Sequence, residues 1–223
     1  MSSNIVIAID GPAGAGKSTI ARNLAISLNL KYLDTGAMYR AIALYVLHKD
    51  IDPQDKDCVK SVLKKVNLDI KTKSNGNNLV FLNNQEITDE IRQPEVSKAV
   101  SYIAENFAVR EFLVEMQRKI GRDGAVLDGR DIGTRIFPNA DFKFYLTASI
   151  EERTQRRLCD LLKEGYNTTY NEVKQELLRR DEIDQNRTYS PLRMAEDAIL
   201  LDTTNMTQKE VLSKLLERVE GHE

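Results

Sequence analysis

The sequence predicts an α/β fold in which a doubly wound parallel sheet carries helices on both faces. Two observations predict it. Short apolar runs typical of buried strands alternate along the chain with longer segments whose apolar residues recur every three or four positions. The chain has 223 residues, 41% of them hydrophobic and 30% charged. That length and composition suit one core domain with a smaller insert and a well-solvated surface.

The N-terminal part of the chain opens this alternation. Residues 5–10 form the first predicted strand, and a helix follows over about 17–28 because its apolar residues fall on one face. A short strand at 31–33 leads through "DTGAMYR" into a second helix that ends near His48. Strands that alternate with helices in this way predict a parallel, doubly wound sheet.

A small, partly β lobe is predicted over residues 50–100. The stretch "IDPQDKD" breaks the alternation, and a short helix over about 55–66 follows it. Asn75 and Gly76 then lie between two extended segments, a pattern typical of a hairpin. The core domain is accordingly predicted to comprise residues 1–49 and 101–223.

The second half returns to the α/β pattern. Two helical stretches lie between Pro94 and about residue 120, and "AVLDGRDIGT" and "DFKFYLTA" predict buried strands. A further strand, "AILLD", comes before the last helix. Three helices are predicted to start at capping-box pairs: Ser149 with Glu152, Thr169 with Glu172, and Thr207 with Glu210.

The first strand ends in a glycine-rich turn, "GPAGAGKST", with the pattern G-x-x-x-x-G-K-S. Glycines let backbone N–H groups approach phosphate oxygens, and the helix that follows adds the positive end of its dipole. Lys17 is expected to contact the β- and γ-phosphates, and the Ser18 hydroxyl to ligate Mg²⁺. A turn without a ligand is the alternative, but the flanking strand and helix favour a site for ATP with Mg²⁺. The expected cofactor-binding residues are Gly11, Pro12, Ala13, Gly14, Ala15, Gly16, Lys17, Ser18 and Thr19.

Charged residues follow other strands of the predicted sheet. "LDGRD" ends a buried strand, so Asp128, Arg130 and Asp131 should face the same crevice as the glycine-rich turn. We expect Asp128 to assist Mg²⁺ through water. The alternative is an Asp-Gly turn with no further role, although Arg130 and Asp131 lie beyond that turn. Arg40 lies in the second helix, where it is either a ligand or an ordinary surface residue.

Two arginine-rich helices lie on either side of "KEGYNTTY". Arg153 and Arg157 are four residues apart and share a helix face, as do Arg180, Asp184 and Arg187. Such a face is often only solvated surface. Two such helices around a flexible connection would also form a lid, predicted at about residues 150–170, that excludes water from a phosphoryl-transfer site.

Taken together, "GPAGAGKST", "LDTGAMYR", "LDGRDIGT" and "RRDEIDQNR" make the chain resemble the bacterial-type cytidylate kinases over nearly its full length. The resemblance implies transfer of the ATP γ-phosphate to CMP or dCMP, with the inserted lobe binding the monophosphate. Two departures keep the expected chemistry. Thr35 stands where the family often has serine, and Ser18 stands where glycine is also common.

The resemblance also implies a role for each site residue. It assigns the acceptor nucleotide three groups of contacts: Thr35, Arg110 and Asp131 to cytosine; Ser101, Arg180 and Asp184 to the sugar; Arg40, Arg130 and Arg187 to the α-phosphate. Around the transferring phosphoryl group it implies a catalytic set: Lys17, Arg130, Arg153, Arg157 and Arg187. A catalytic base is not expected, because positioning and charge neutralisation carry phosphoryl transfer.

Composition limits the partners. The net charge of −2 and the absence of tryptophan argue against a nucleic-acid partner. Two cysteines without a metal-binding spacing suit a reducing cytoplasm. The longest apolar stretch, residues 41–47, is too short to span a membrane, and nothing in the pattern indicates more than a monomer.

Two alternatives remain at this point. A kinase for another nucleoside monophosphate or a small alcohol would share the glycine-rich turn, and only Arg110 with Asp131 favours cytosine. A non-catalytic nucleotide-binding protein or GTP switch is the other. The N-K-x-D tetrapeptide expected of a GTPase does not occur in the sequence.

Overall fold

A computed structural model of the chain describes residues 4–73 and 75–221. The strands are β1 (Val6–Asp10), β2 (Lys31–Asp34), β3 (Leu68–Thr72), β4 (Asn78–Leu82), β5 (Gln85–Glu86), β6 (Ala125–Gly129), β7 (Phe142–Thr147) and β8 (Ile199–Asp202). The α-helices are α1 (Lys17–Ser27), α2 (Thr35–Leu47), α3 (Lys56–Val62), α4 (Pro94–Glu105), α5 (Phe107–Gly121), α6 (Ile150–Lys163), α7 (Tyr170–Asn186) and α8 (Gln208–Glu220).

The predicted doubly wound parallel sheet is confirmed. Five strands lie in the order β2-β6-β1-β7-β8, and every neighbouring pair is parallel. Because side chains alternate along a strand, Ala8 and Leu127 pack on the face covered by α2, α4 and α5. Ile7, Ile9 and Phe144 pack on the opposite face, against α1 and α8. Both faces of the central strands are therefore buried, as their continuous apolar runs require.

The chain order reverses around β1, which lies between β6 and β7. In open parallel sheets this reversal creates a crevice at the carboxyl ends of the strands. Three carboxylates stand at that edge in adjacent register: Asp10 closes β1, Asp34 closes β2, and Asp128 lies opposite Asp34 on β6. The topology thus brings together residues more than a hundred positions apart.

The inserted lobe contains the antiparallel sheet β3-β4-β5. Its first hairpin pairs Thr72 with Asn78, and Gly76 takes a positive φ of 79° in the connection. Val80 and Ile91 of the lobe belong to the same apolar cluster as α2 and α4. The predicted boundary at residue 100 falls inside α4, so the lobe and the core share one continuous packing.

One side chain attaches the lobe to the edge of the large sheet. The Asn78 Oδ1 accepts a hydrogen bond from the Asp34 backbone N–H at 2.8 Å, and its Nδ2 donates to the Tyr32 carbonyl at 2.9 Å. The amide therefore satisfies two backbone groups of β2 as a neighbouring strand would. A second contact joins Arg22 of α1 to Asn77 at 2.6 Å.

The three predicted capping pairs begin their helices, with one difference. Thr169 with Glu172 and Thr207 with Glu210 form reciprocal capping boxes. Ser149 accepts from the Glu152 N–H, but the Glu152 carboxylate binds Arg156 at 2.7 Å. In residues 4–73 and 75–221, no helix combines the length and apolar character needed to cross a membrane.

Replacing Asn78 with alanine should weaken the attachment of the lobe. N78A leaves the Asp34 N–H and the Tyr32 carbonyl without their partner, which should lower the free energy of unfolding by about 1–3 kcal/mol. Urea denaturation measures the change. The control is Q85A at an exposed position of β5, expected to stay within about 0.5 kcal/mol of the parent. Equal stabilities of N78A and Q85A would contradict this role for Asn78.

Candidate active site

A cavity of about 910 Å³ lies at the carboxyl edge of the sheet, between the glycine-rich turn, the lobe and the helices α6 and α7. Four of the predicted site residues are not part of its wall in the described chain: Gly11, Pro12, Ala15 and Arg153. The other predicted site residues line it together: Ala13, Gly14, Gly16, Lys17, Ser18, Thr19, Thr35, Arg40, Ser101, Arg110, Asp128, Arg130, Asp131, Arg157, Arg180, Asp184 and Arg187.

The glycine-rich turn needs its glycines for steric reasons. Gly11 has a φ of 147°, and a Cβ there would lie 1.9 Å from the carbonyl oxygen of Leu146. Gly14 and Gly16 have φ values of 77° and 82°, in the left-handed region that favours glycine. Gly16 is also the residue at the start of α1, so the free N–H groups of that helix point toward the cavity edge.

Lys17 is a buried cation at the start of α1. Its Nζ donates to the carbonyl of Pro12 at 2.6 Å, which holds it under the turn. Burial, with a further contribution from Arg130, lowers the pKa of Lys17 to about 7. The ammonium form is therefore poorly stabilised in the protein alone, and a bound polyphosphate would supply the missing negative charge.

Asp128 collects donors from three elements. Its carboxylate accepts from the Ser18 hydroxyl and from the Tyr32 hydroxyl, each at 2.8 Å, and its carbonyl accepts from the Thr35 hydroxyl at 2.7 Å. Burial, reinforced by the Asp34 carboxylate, raises the pKa of Asp128 to about 6. A hydroxyl and carboxylates packed beside a phosphate-binding turn form a donor set that fits Mg²⁺. Tyr32 was not predicted, because its contact with Asp128 spans 96 residues.

A buried ion pair lies at the far end of the cavity. Arg110 and Asp131 are 2% and 3% exposed, and the Arg110 Nη2 donates to the Asp131 carboxylate. The Arg110 guanidinium lies 5.5 Å from the centre of the Tyr39 ring and also donates to a backbone carbonyl. Arg187 lies 3.7 Å from the other Asp131 oxygen. The pair thus presents a fixed donor and a fixed acceptor side by side.

Asp10 holds the loop that carries Asp131, the acidic member of this pair. Its two carboxylate oxygens accept from the backbone N–H groups of Ile132 at 2.9 Å and Gly133 at 2.8 Å. These residues begin a π-helical turn, Ile132–Ile136, directly after Asp131. Burial raises the pKa of Asp10 to about 7, against the lowering effect of those two hydrogen bonds.

Asp184 organises a second group of charges. It accepts from Arg130 Nε at 2.7 Å and from Arg187 Nη1 at 3.4 Å. Burial alone would raise the pKa of Asp184, but Arg130, Arg187 and Arg180 hold it below its ordinary value. Arg130 directly follows β6, and Arg187 directly follows α7 in extended backbone rather than lying on the predicted helix face. Arg180 and Asp184 lie in α7 and both line the cavity, so this face of the helix does point into it.

Two further arginines each have a buried nitrogen atom without a hydrogen bond. The buried Nε atoms of Arg40 and Arg180 have no hydrogen-bond partner within the described chain. Burial, together with the charges of Arg180 and Arg92, lowers the pKa of Arg40 to about 9. Unpaired guanidinium groups in one cavity are costly for the protein alone, and an anion placed among them would relieve the cost.

The two predicted lid arginines, Arg153 and Arg157, lie in different places. Arg157 lines the cavity, whereas Arg153 lies beneath the glycine-rich turn and donates to the Ala13 carbonyl at 3.0 Å. Three cavity arginines were missed: Arg22, Arg92 and Arg156. Arg156 donates to the Thr203 carbonyl at 2.7 Å, and Arg92 of the lobe pairs with Asp34 at 2.9 Å. The doubled arginine in "QRR" was the only sequence signal for Arg156, and it did not tell which residue faces the cavity.

The family model for cytidylate kinases, described as "Cytidylate kinase", matches residues 7–221. The chain belongs to the cytidylate kinase family. Three proteins named cytidylate kinase are similar to it over nearly their full length. The one from Carboxydothermus hydrogenoformans is 50% identical over 95% of each chain. The one from Caldicellulosiruptor bescii is 47% identical over 96% of this chain and 94% of its own. The Bacillus subtilis protein is 44% identical, covering 99% and 98%.

Membership makes this chain a kinase that uses a P-loop, the glycine-rich turn described above, to bind a nucleotide. The P-loop, the buried Arg110–Asp131 pair and a cluster of arginines all line one cavity. Such an arrangement can hold two phosphorylated ligands and screen the charge between them.

Lys17 leads to a prediction about proton uptake. With a pKa of about 7 in the free protein, Lys17 is mostly neutral at pH 8, and bound phosphates favour its charged form. Mg-ATP binding at pH 8 should therefore take up close to one proton, as follows from a tenfold ratio per pH unit. Calorimetry in two buffers of different ionisation enthalpy measures it.

The matched control for that measurement is K17R. Its guanidinium is charged at pH 8 with or without nucleotide, so the uptake should fall toward zero. Uptake that is absent from the parent protein, or equally large in K17R, would contradict the assignment of the proton to Lys17.

Proposed function

We propose that this chain transfers the γ-phosphate of ATP to CMP or dCMP, giving ADP and CDP or dCDP. The observation that carries the proposal is the buried Arg110–Asp131 pair at the acceptor end of the cavity. Cytosine offers acceptors at O2 and N3 and an amino donor at C4, which match a fixed guanidinium and a fixed carboxylate. Uracil carries an oxygen where cytosine has the amino group, so it would face the carboxylate with a second acceptor.

The donor end is assigned to ATP. In this proposal the backbone N–H groups from Gly14 to Thr19 hold the phosphates, and Lys17 contacts the β- and γ-phosphates. Ser18 binds Mg²⁺ directly, and Asp128 does so through water. Bound Mg²⁺ would neutralise charge on the phosphates, as in other P-loop enzymes. The hydrogen bonds that now join Ser18 and Tyr32 to Asp128 supply the orientation of that carboxylate.

The acceptor end is assigned to the nucleoside monophosphate. Arg40, Arg130 and Arg187 are proposed to bind its α-phosphate. The Nε of Arg40 and the Nη2 of Arg187 are buried without a hydrogen bond, which supports this assignment. The sugar contacts, Ser101, Arg180 and Asp184, also line the cavity. Thr35 borders the same space, with its hydroxyl bonded to Asp128.

Phosphoryl transfer then requires positioning and charge neutralisation rather than a base. Arg130, Arg187 and Arg157 of α6 all line the cavity. We propose that α6, α7 and their connection close over bound ATP and exclude water. The site residues named here all come from one chain, so the reaction as proposed needs no residue from a second copy. The exposed free thiols of Cys58 and Cys159 support a reducing, cytoplasmic setting.

A panel of acceptors tests the proposal. ADP release at fixed Mg-ATP should be fast with CMP and dCMP, and slow with UMP, AMP, GMP or no acceptor. A different preferred monophosphate would leave a kinase and refute the cytosine assignment. Release that no acceptor stimulates would refute transfer to a nucleotide altogether.

The base contact is tested separately with D131N. The substitution keeps the shape of the side chain but removes its charge and adds a donor that suits O4 of uracil. We expect the KM for CMP to rise at least about tenfold, the KM for ATP to change less than about twofold, and the preference for CMP over UMP to fall.

The control is D123N, at an exposed position that precedes β6, whereas Asp131 follows this strand. This substitution should leave the KM for CMP, the KM for ATP and the preference for CMP over UMP unchanged. Equal effects of D131N on the KM of both substrates would refute the base contact.

A further inference from the structure

Both backbone hydrogen-bonding groups of Ala13, in the middle of the P-loop, are bonded by side chains from α6 and α7. Its carbonyl accepts from Arg153 Nη1 at 3.0 Å, and its N–H donates to Asp181 Oδ1 at 3.3 Å. Arg153 and Asp181 are also bonded to each other through Nη1 and Oδ2. One buried ion pair therefore holds the two peptide units on either side of the Ala13 Cα.

Side-chain packing also holds Ala13 in this position. The Ala13 side chain is 4% exposed and forms a small apolar cluster with Val173 and Leu177 of α7. At Gly14 a Cβ would lie 3.2 Å from the Cβ of Arg153 and 3.3 Å from its carbonyl oxygen. The P-loop thus rests directly on the backbone of α6, and any shift of α6 relative to the sheet must move it or break these contacts.

Arg153 has little capacity for a ligand in this position. It is 8% exposed, its Nε donates to the Ala148 carbonyl at 3.0 Å, and its Nη1 serves both Ala13 and Asp181. Ala148 follows β7, so the guanidinium connects three segments: the end of the sheet, the P-loop and α7. This differs from the sequence-based expectation that Arg153 contacts the transferring phosphoryl group.

We propose that Arg153 and Asp181 are positioning residues that fix the P-loop conformation and couple Mg-ATP binding to the placement of α6 and α7. The inference rests on the proposed ATP site but not on the identity of the acceptor. Its physical basis is preorganisation: a loop already held in its binding conformation loses less conformational entropy when phosphates bind. The pair acts through Ala13 and does not touch ATP.

The experiment compares R153M, D181N and their double variant with K174M. Lys174 of α7 also pairs with a residue of α6, Glu151, at 2.9 Å, but Glu151 is exposed, Lys174 is half-buried, and the bonds to Ala13 come from Arg153 and Asp181 instead. K174M therefore removes an ion pair between the same two helices without releasing the P-loop. Calorimetry gives the Kd for Mg-ATP and for CMP, steady-state assays give kcat, and urea denaturation shows that each variant is folded.

If the pair positions the P-loop, R153M and D181N should each weaken Mg-ATP binding about tenfold or more, the scale of a lost charge-assisted hydrogen bond. The Kd for CMP should stay within about twofold of the parent value. The double variant should bind Mg-ATP no more weakly than the weaker-binding single variant, because each substitution already breaks the same Arg153–Asp181 pair. R153K, which keeps a cationic donor, should recover part of the affinity. K174M should match the parent.

Three results would overturn the proposal. One is a large fall in kcat for R153M with Mg-ATP affinity intact and D181N normal, which would make Arg153 a contact of the phosphoryl group. Another is an equal weakening of Mg-ATP and CMP binding with a loss of stability, which would make the pair merely structural. The third is additivity of the effects of the two single substitutions on Mg-ATP binding.

The parent protein separates this proposal from the proposed function. A parent that binds Mg-ATP but does not phosphorylate CMP would refute the proposed acceptor alone, whereas a parent that fails to bind Mg-ATP would overturn both proposals.

Discussion

Asp128 is the group on which the rest of the site depends. It is 4% exposed, and its oxygens accept hydrogen bonds from α1, from β2 and from the first residue of α2. A carboxylate buried to this degree is stable only with such partners. In satisfying it, the chain also fixes the start of the P-loop helix against the strand that leads to the acceptor side. The geometry of both ends of the cavity therefore follows from one buried charge.

The cavity as a whole holds more positive charge than the protein itself neutralises. Asp131 and Asp184 are shared among Arg110, Arg130 and Arg187, whereas Arg40 and Arg180 retain unpaired buried nitrogen atoms. Burying unpaired cations costs free energy that a compact fold could avoid by using neutral residues. The chain accepts this cost at the place where two polyanionic ligands would meet, and the same charges stabilise the more negative transition state of phosphoryl transfer. The electrostatic strain of the free protein thus favours ligand binding.

The sequence predicted the fold and the P-loop well because both rest on local rules. Hydrophobic periodicity and capping residues determine helices within one segment, and the P-loop is contiguous in the chain. The Arg110–Asp131 pair required the family resemblance, since its members are separated by 21 residues and join only through tertiary packing. Arg153 and Arg157 show what sequence spacing alone does not predict. Their spacing places them on one side of α6, but only the neighbours of the helix determine that one lies under the P-loop and the other at the cavity. Tyr32 and Arg92 were missed for the same reason.

The attachment of the lobe through Asn78 has a consequence for solubility. β2 is an edge strand of the large sheet, and an uncovered edge offers backbone groups to which a strand of another molecule can add. Asn78 occupies the Asp34 N–H and the Tyr32 carbonyl on this edge, and the rest of the lobe packs alongside. The insert that shapes the acceptor side therefore also protects the sheet from intermolecular pairing. The opposite edge of the sheet is β8, which carries the exposed side chains of Ile199 and Leu200. If a strand of another molecule adds to this sheet, we expect it at β8 rather than at β2.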